Sequence, residues 1–287
     1  MRCFAFIFVC LFPQFSALGA VKADITISNV AGPWPIVIKT CSHDAGAICS
    51  LTWRNKEFID DHDHGRQLQS AASFDYLGEA FNPTEAGSRV DGINPSPSSS
   101  TLQGSWSTPN ILATQTKMAF WDPINGVNTS EHILNKRVTI GIHGLAHVIE
   151  YATQFTVPAA ESHFHGVFEV LTGYMPSEFS QFWTYQPDKK ILTPLTDSPG
   201  EQSLPIIFST PDGKWAMGIY SPETPQAGWP HAGYGRWRFT QDHVVKWNNV
   251  YRIADPKGVY HFRSYVIVGS LENVHVSMSQ LYHLVHK

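Results

Sequence analysis

The sequence predicts an all-β fold, a large antiparallel β-sandwich with one C-terminal helix, on three observations. Apolar residues alternate with polar or small ones along at least a dozen short segments. Turn-forming residues, with 19 prolines in the chain, break these segments roughly every eight to twelve positions. Only one stretch, near the C terminus, repeats apolar residues at helical spacing.

The chain starts with an expected export signal over residues 1–23. Arg2 gives a positive start, Cys3 to Phe12 is apolar throughout, and Ala20 and Ala23 are the small residues that a signal peptidase tolerates. The apolar run is too short to span a bilayer. Removal of the signal would leave residues 24–287 as one β-sandwich domain in a secreted or periplasmic setting. Cys3 and Cys10 would leave with it, and the remaining pair, Cys41 and Cys49, would close a short disulfide loop in an oxidising compartment, with a metal site as the alternative.

Along the rest of the chain, residues 50–53 and 57–59 read as a hairpin about Arg54-Asn55-Lys56. The stretch 94–100, Asn-Pro-Ser-Pro-Ser-Ser-Ser, reads as a loop, either an exposed connector or a lid over a cleft. Val138, Ile140 and Ile142 pair with the alternating Ile149, Tyr151, Thr153, Phe155 and Val157 around a turn at residues 143–146. Residues 204–208 and 215–220 flank the turn Pro211-Asp212-Gly213-Lys214, and residues 260–268 form a further strand. The helix carries Val274, Met278, Leu281 and Val285 on one face, with Ser270 or Asn273 as its cap.

Charge argues against a nucleic-acid partner. Without Arg2 and Lys22, 18 basic residues face 24 acidic ones, a net charge of −6, and no basic stripe occurs. The nucleophile elbow, the phosphate loop and the dinucleotide turn are all absent, so no cofactor is expected.

Four polar clusters carry the candidate chemistry. In the run Asp60 to Gln69, His62, His64 and Arg66 would share one face if the backbone were extended, and Arg66, Gln67 and Gln69 suit a hydroxyl-rich or anionic ligand. In Asn82-Pro83-Thr84-Glu85-Ala86-Gly87, Pro83 and Gly87 frame Asn82 as a ligand contact and Glu85 as a general acid or base. In the third cluster, His163, His165 and Glu169 follow a His-x-His-x-x-x-Glu spacing that resembles the first half of a cupin metal motif. That cluster lacks the expected glycine before His163, has Gly173 too early, and finds no second half, so no metal is assigned and His165 and Glu169 stand as catalytic candidates. The fourth is aromatic: Trp229, His231 and Trp237 sit in a Gly-rich stretch whose composition fits a sugar-binding loop.

In general pattern, though through no specific motif, the chain is similar to secreted β-supersandwich proteins of the galactose-mutarotase type. Export, sandwich, tryptophans and amide-rich clusters together lead to the expectation of a secreted carbohydrate-active enzyme that cleaves a polysaccharide or oligosaccharide. Hydrolysis would pair Glu85 with Asp91 or Glu169. Elimination would use His64, His163 or Tyr174 as base, with Arg66, Gln67 or Asn82 against the substrate carboxylate. The alternatives are a non-catalytic sugar-binding protein and, less favoured, a cupin-like metalloprotein. The sequence carries no signal for oligomeric state.

Overall fold

Strand-forming patterns become strands nearly throughout. The computed structural model describes residues 21–22, 24–222 and 233–286; most of residues 1–23, and the stretch with Trp229 and His231, lie outside the described residues. Four strands, β1 (Thr26–Ala31), β2 (Trp34–Thr40), β3 (Ile48–Trp53) and β4 (Lys56–Glu57), make a small antiparallel sheet. The next eight are β5 (Gln69–Phe74), β6 (Pro83–Thr84), β7 (Thr101–Ser107), β8 (Ile111–Ile124), β9 (Val127–Ile142), β10 (Leu145–Val157), β11 (His165–Pro176) and β12 (Gln181–Gln186). Then come β13 (Ile191–Leu195), β14 (Gly200–Gln202), β15 (Ile206–Ser209), β16 (Ala216–Tyr220), β17 (Tyr234–Phe239), β18 (Val244–Ala254), β19 (Gly258–Gly269) and the helix α1 (Leu271–Val285).

β5 to β19 join in one 15-stranded antiparallel sheet that doubles over on itself. The two-residue β6 bridges β8 to β5 and so links the two layers. β16, β19, β10, β9 and β8 run side by side in one layer, and β5, β11, β18 and β17 in the other. Between them, Ile140, Ile149 and Val266 pack with Leu171, Val245 and Trp247, and the small sheet adds Ile36, Ile38 and Leu51 to the same interior. An aromatic-rich second core joins Leu134 and Phe155 to Phe168 and Tyr251.

The turn chemistry matches the sequence. Arg54-Asn55 and His143-Gly144 both hold left-handed backbone at two successive positions, the condition for tight hairpins whose twist matches their strands. The second hairpin needs only these two residues, fewer than the four expected, and Leu145 pairs with Ile142. Cys41 and Cys49 are joined by a disulfide. At the C terminus, Ser270 caps α1 in a reciprocal box with Asn273. The C-terminal half of β19 is buried on both faces, with Val266 and Val268 facing the sandwich while Tyr265 and Ile267 face Val274, Met278 and Leu281 of the helix. Gly218 on β16 permits this close approach, since a Cβ there would lie 2.8 Å from Met278 Cε. No helix among the described residues is long and apolar enough to cross a membrane.

Candidate functional site

The outer face of the second layer carries a cleft of about 270 Å³. Its floor is built by strand alternation, with one interruption. On β5, Gln69, Ala71 and Ser73 point outward. On β11, plain alternation would put Glu169 and Thr172 on opposite faces. A bulge at Val170 and Leu171 turns both of those apolar side chains inward and leaves Glu169, Thr172 and Tyr174 together on the cleft face. Across from them, β18 pairs Lys246 with Tyr174 and Asn248 with Thr172. The walls are Gly65 with Trp121, and the turn carrying Gly78, Glu79 and Asn82. Gly65 is required because a Cβ would come within 2.7 Å of the Trp121 ring.

The electrostatics centre on Glu169. It accepts from Asn248 Nδ2 at 2.7 Å and from Lys246 Nζ at 3.3 Å. Burial disfavours the Lys246 ammonium, but the Glu169 charge and Tyr174 outweigh this and raise its pKa. Burial also raises the Tyr174 phenol; Lys246 opposes that shift and Glu169 adds to it, so Tyr174 keeps its proton at neutral pH. Trp237 is the cross-strand partner of Lys246, whose Nζ lies 5.5 Å from the indole centroid. Its ring folds over Gly235, where a Cβ would collide with it.

Of the residues singled out in the sequence, Gln69, Asn82 and Glu169 line this cleft, and Trp237 extends it along β17. Gln69 contributes shape more than hydrogen bonding, since its amide is engaged by His64 O at 3.1 Å and Ala86 N at 2.9 Å. The Asn82 amide and Ser73 hydroxyl make no hydrogen bond with any described residue, which leaves them available to a ligand.

The others are placed elsewhere. Glu85 is fully buried and paired with Lys136, and it accepts from Ser70 N at 3.1 Å and Tyr151 OH at 3.4 Å. His64 is also fully buried, with Nδ1 2.9 Å from Ala86 O and 3.4 Å from Asp44 Oδ1, and Nε2 3.2 Å from Ser96 Oγ. Burial alone would lower its pKa, but Asp44, the Ala86 carbonyl and Asp91 together raise it. The extended backbone imagined for residues 62–66 is instead a series of turns, so His62, His64 and Arg66 do not share a face. Arg66 is held by Asp63 at 3.1 Å and Asp242 at 3.4 Å, and Gln67 donates to Asp61 at 2.7 Å. His165 is buried and stacks on Tyr76 at 4.0 Å, away from Glu169; its pKa is lowered by burial and by Arg252. The cupin-like trio is thereby corrected: among the described residues, neither His165 nor Glu169 belongs to any group with metal-binding spacing. Trp229 and His231 lie outside the described residues.

The stretch 94–100 seals the buried cluster around His64. Asn94 Nδ2 donates to Asp44 at 3.1 Å and to Asp61 at 3.0 Å. Burial and the Asp44 charge raise the Asp61 pKa to about 6. The folded protein therefore binds a proton that the unfolded chain has released between about pH 4 and pH 6, and stability from this group falls as pH rises through that window. Asp61→Asn, which still accepts both amides, is expected to stabilise by about 1–3 kcal/mol at pH 7 and to have no effect near pH 4. Urea denaturation at the two pH values checks it; an equal effect at both removes the repulsion argument.

No family profile matches the sequence, and no curated protein matches it. Solved structures do resemble the fold. An α-galactosidase from Lactobacillus brevis aligns over 91% of this chain and 42% of its own, with TM-score 0.51 and 10% identity. A galactose mutarotase related enzyme from Lactobacillus acidophilus aligns over 86% of this chain and 98% of its own, with TM-score 0.47 and 12% identity. The likeness is one of fold. This chain spans less than half the length of that α-galactosidase.

Proposed function

We propose that the protein is an exported carbohydrate-active enzyme that binds a sugar in the β5–β11–β18 cleft and cleaves its glycosidic linkage. One observation carries this reading. A carboxylate, an ammonium, a phenol, a free amide and a free hydroxyl converge there beside two indoles, Trp121 and Trp237. Aromatic faces match the C–H faces of pyranose rings, while amide and hydroxyl groups give and accept the hydrogen bonds that sugar hydroxyls require. The cleft is close to the lower end of small-molecule sites, about 300 Å³, and suits one or a few sugar residues.

In this reading Glu169 takes the proton and the Tyr174 phenol supplies one to the leaving oxygen. Lys246, between them, offsets the negative charge that develops. Elimination from a uronic acid would use Lys246 and Asn82 against the sugar carboxylate. Hydrolysis would enlist Glu79, the second carboxylate on the cleft wall. The products separate these routes, because elimination leaves an ultraviolet-absorbing C=C bond and hydrolysis does not.

The test is a panel of neutral and uronic-acid oligosaccharides, assayed for binding and for new reducing ends. We expect turnover on at least one class, and loss of binding by about tenfold or more in Trp121→Ala and Asn82→Ala, the scale of one lost hydrogen bond or stacking contact. Binding that both variants weaken without any turnover would leave a sugar-binding protein. Binding that neither variant alters would remove the cleft from the argument.

A further inference from the structure

A second constellation lies apart from the cleft, where the segment between β10 and β11 meets β9. His132 on β9 and Glu161 and His163 on that segment each offer a ligand atom, all within 4.8 Å of one another. His132 Nε2 is 3.4 Å from Glu161 Oε2, and His163 Nε2 is 2.9 Å from the same oxygen. A tetrahedral ion with bonds of 2.0–2.1 Å places its ligand atoms about 3.3 Å apart. Two of the three separations already lie near that value, and none in the trio exceeds 4.8 Å.

Two independent observations point to a ligand here. His132 is 3% exposed, and neither of its ring nitrogens has a hydrogen-bond partner among the described residues. A buried imidazole without a partner is costly, and ligation by a cation removes that cost. On its other side, His163 Nδ1 lies 2.8 Å from Asp75 Oδ2, while Asp75 Oδ1 is fixed by Phe164 N at 2.9 Å and His165 N at 3.2 Å. This carboxylate–histidine relay orients the ring with Nε2 toward Glu161, as outer partners of metal-bound histidines do, so that a cation would take the place of the Nε2 proton between them. Phe74 stacks on His163 at 4.3 Å and fixes its plane.

We infer that His132, His163 and Glu161 form a site for a divalent transition-metal ion of the zinc class, with Asp75 as the positioning carboxylate. Two imidazoles and a carboxylate suit such an ion better than calcium or magnesium, which prefer all-oxygen shells. Three protein ligands leave a fourth position. Glu161 and His163 also line a cavity of about 550 Å³ walled by Phe81, Phe120 and Ile124, which would give a ligand with an apolar body access to that position.

The experiment strips the full exported chain with a chelator, then titrates it with Co²⁺ followed by visible absorption and with Zn²⁺ against a chromogenic chelator. One equivalent is expected, with the intense bands of tetrahedral Co²⁺. His132→Ala and His163→Ala should weaken binding by at least about 100-fold, and Asp75→Asn by about 10–100-fold. Glu169→Gln should leave the metal affinity unchanged, which separates this site from the sugar cleft. Circular dichroism identifies any variant that fails to fold, and in the parent protein the imidazole proton resonances of two histidines should shift on Zn²⁺ addition. Absence of stoichiometric binding to the folded parent, or undiminished affinity in a folded His132→Ala variant, overturns the proposal.

Discussion

Lys136→Met is expected to lower the unfolding free energy by about 3–5 kcal/mol, the usual cost of removing one partner from a buried ion pair. Lys136 and Glu85 both have fully buried side chains. Besides Glu85, the Lys136 ammonium donates to Gly46 O at 2.7 Å, so it ties β9 to the disulfide loop. Ser70 N and Tyr151 OH complete the carboxylate's partners from β5 and β10. Methionine fills a similar volume but leaves Glu85 without a counter-charge in a dry interior, with only two neutral donors. Urea denaturation followed by tryptophan fluorescence reads the loss. The double variant Glu85→Leu/Lys136→Met should recover most of it, because a pair exchanged for apolar groups is often neutral. A loss below about 1 kcal/mol in the single variant, within the range of ordinary surface substitutions, would mean that the pair is hydrated and not structural.

Glu169→Gln is expected to reduce kcat by about 10²–10⁴-fold on whichever oligosaccharide the panel identifies, with KM little altered. The amide keeps the shape of the carboxylate and its contact with Asn248, yet it cannot accept a proton. The two roles therefore separate kinetically: a group that only positions the sugar would raise KM, and a proton acceptor lowers kcat. Turnover within threefold of the parent would transfer the chemistry to another group on the cleft, with Tyr174 the first to examine.

Much of the architecture was legible because its determinants are local. Alternation along residues 138–157, the tight turns and the spacing of Val274, Met278 and Leu281 act through immediate neighbours, and each appears in the structure, with the turn expected over residues 143–146 shortened to two residues. Cys41 and Cys49, nearby in sequence, also pair. The site was less legible because it depends on which face a strand presents and on which distant strands adjoin. Asn82 stands out in its proline-framed loop and Glu169 through its spacing from His163 and His165, and the two meet at the cleft. Glu85 and His64 had the same polar, Gly-flanked appearance, but buried partners far away in sequence, Lys136 and Asp44, draw them inside. Lys246 gave no local signal, since one lysine in an apolar strand looks like an edge residue. His132 was equally silent, and only the fold brings it to Glu161 and His163.

The extra residue in β11 has an evolutionary consequence. Deleting one position at Val170 or Leu171 would restore an unbroken two-residue repeat in which Glu169, Thr172 and Tyr174 still share one face. Straightening the strand without shortening it would instead swing Thr172 and Tyr174 into the oily interior, away from Glu169. Insertion and kink are therefore tied together: descendants of this scaffold should keep the acid–phenol–ammonium grouping with both or with neither, and lose it when they carry one without the other.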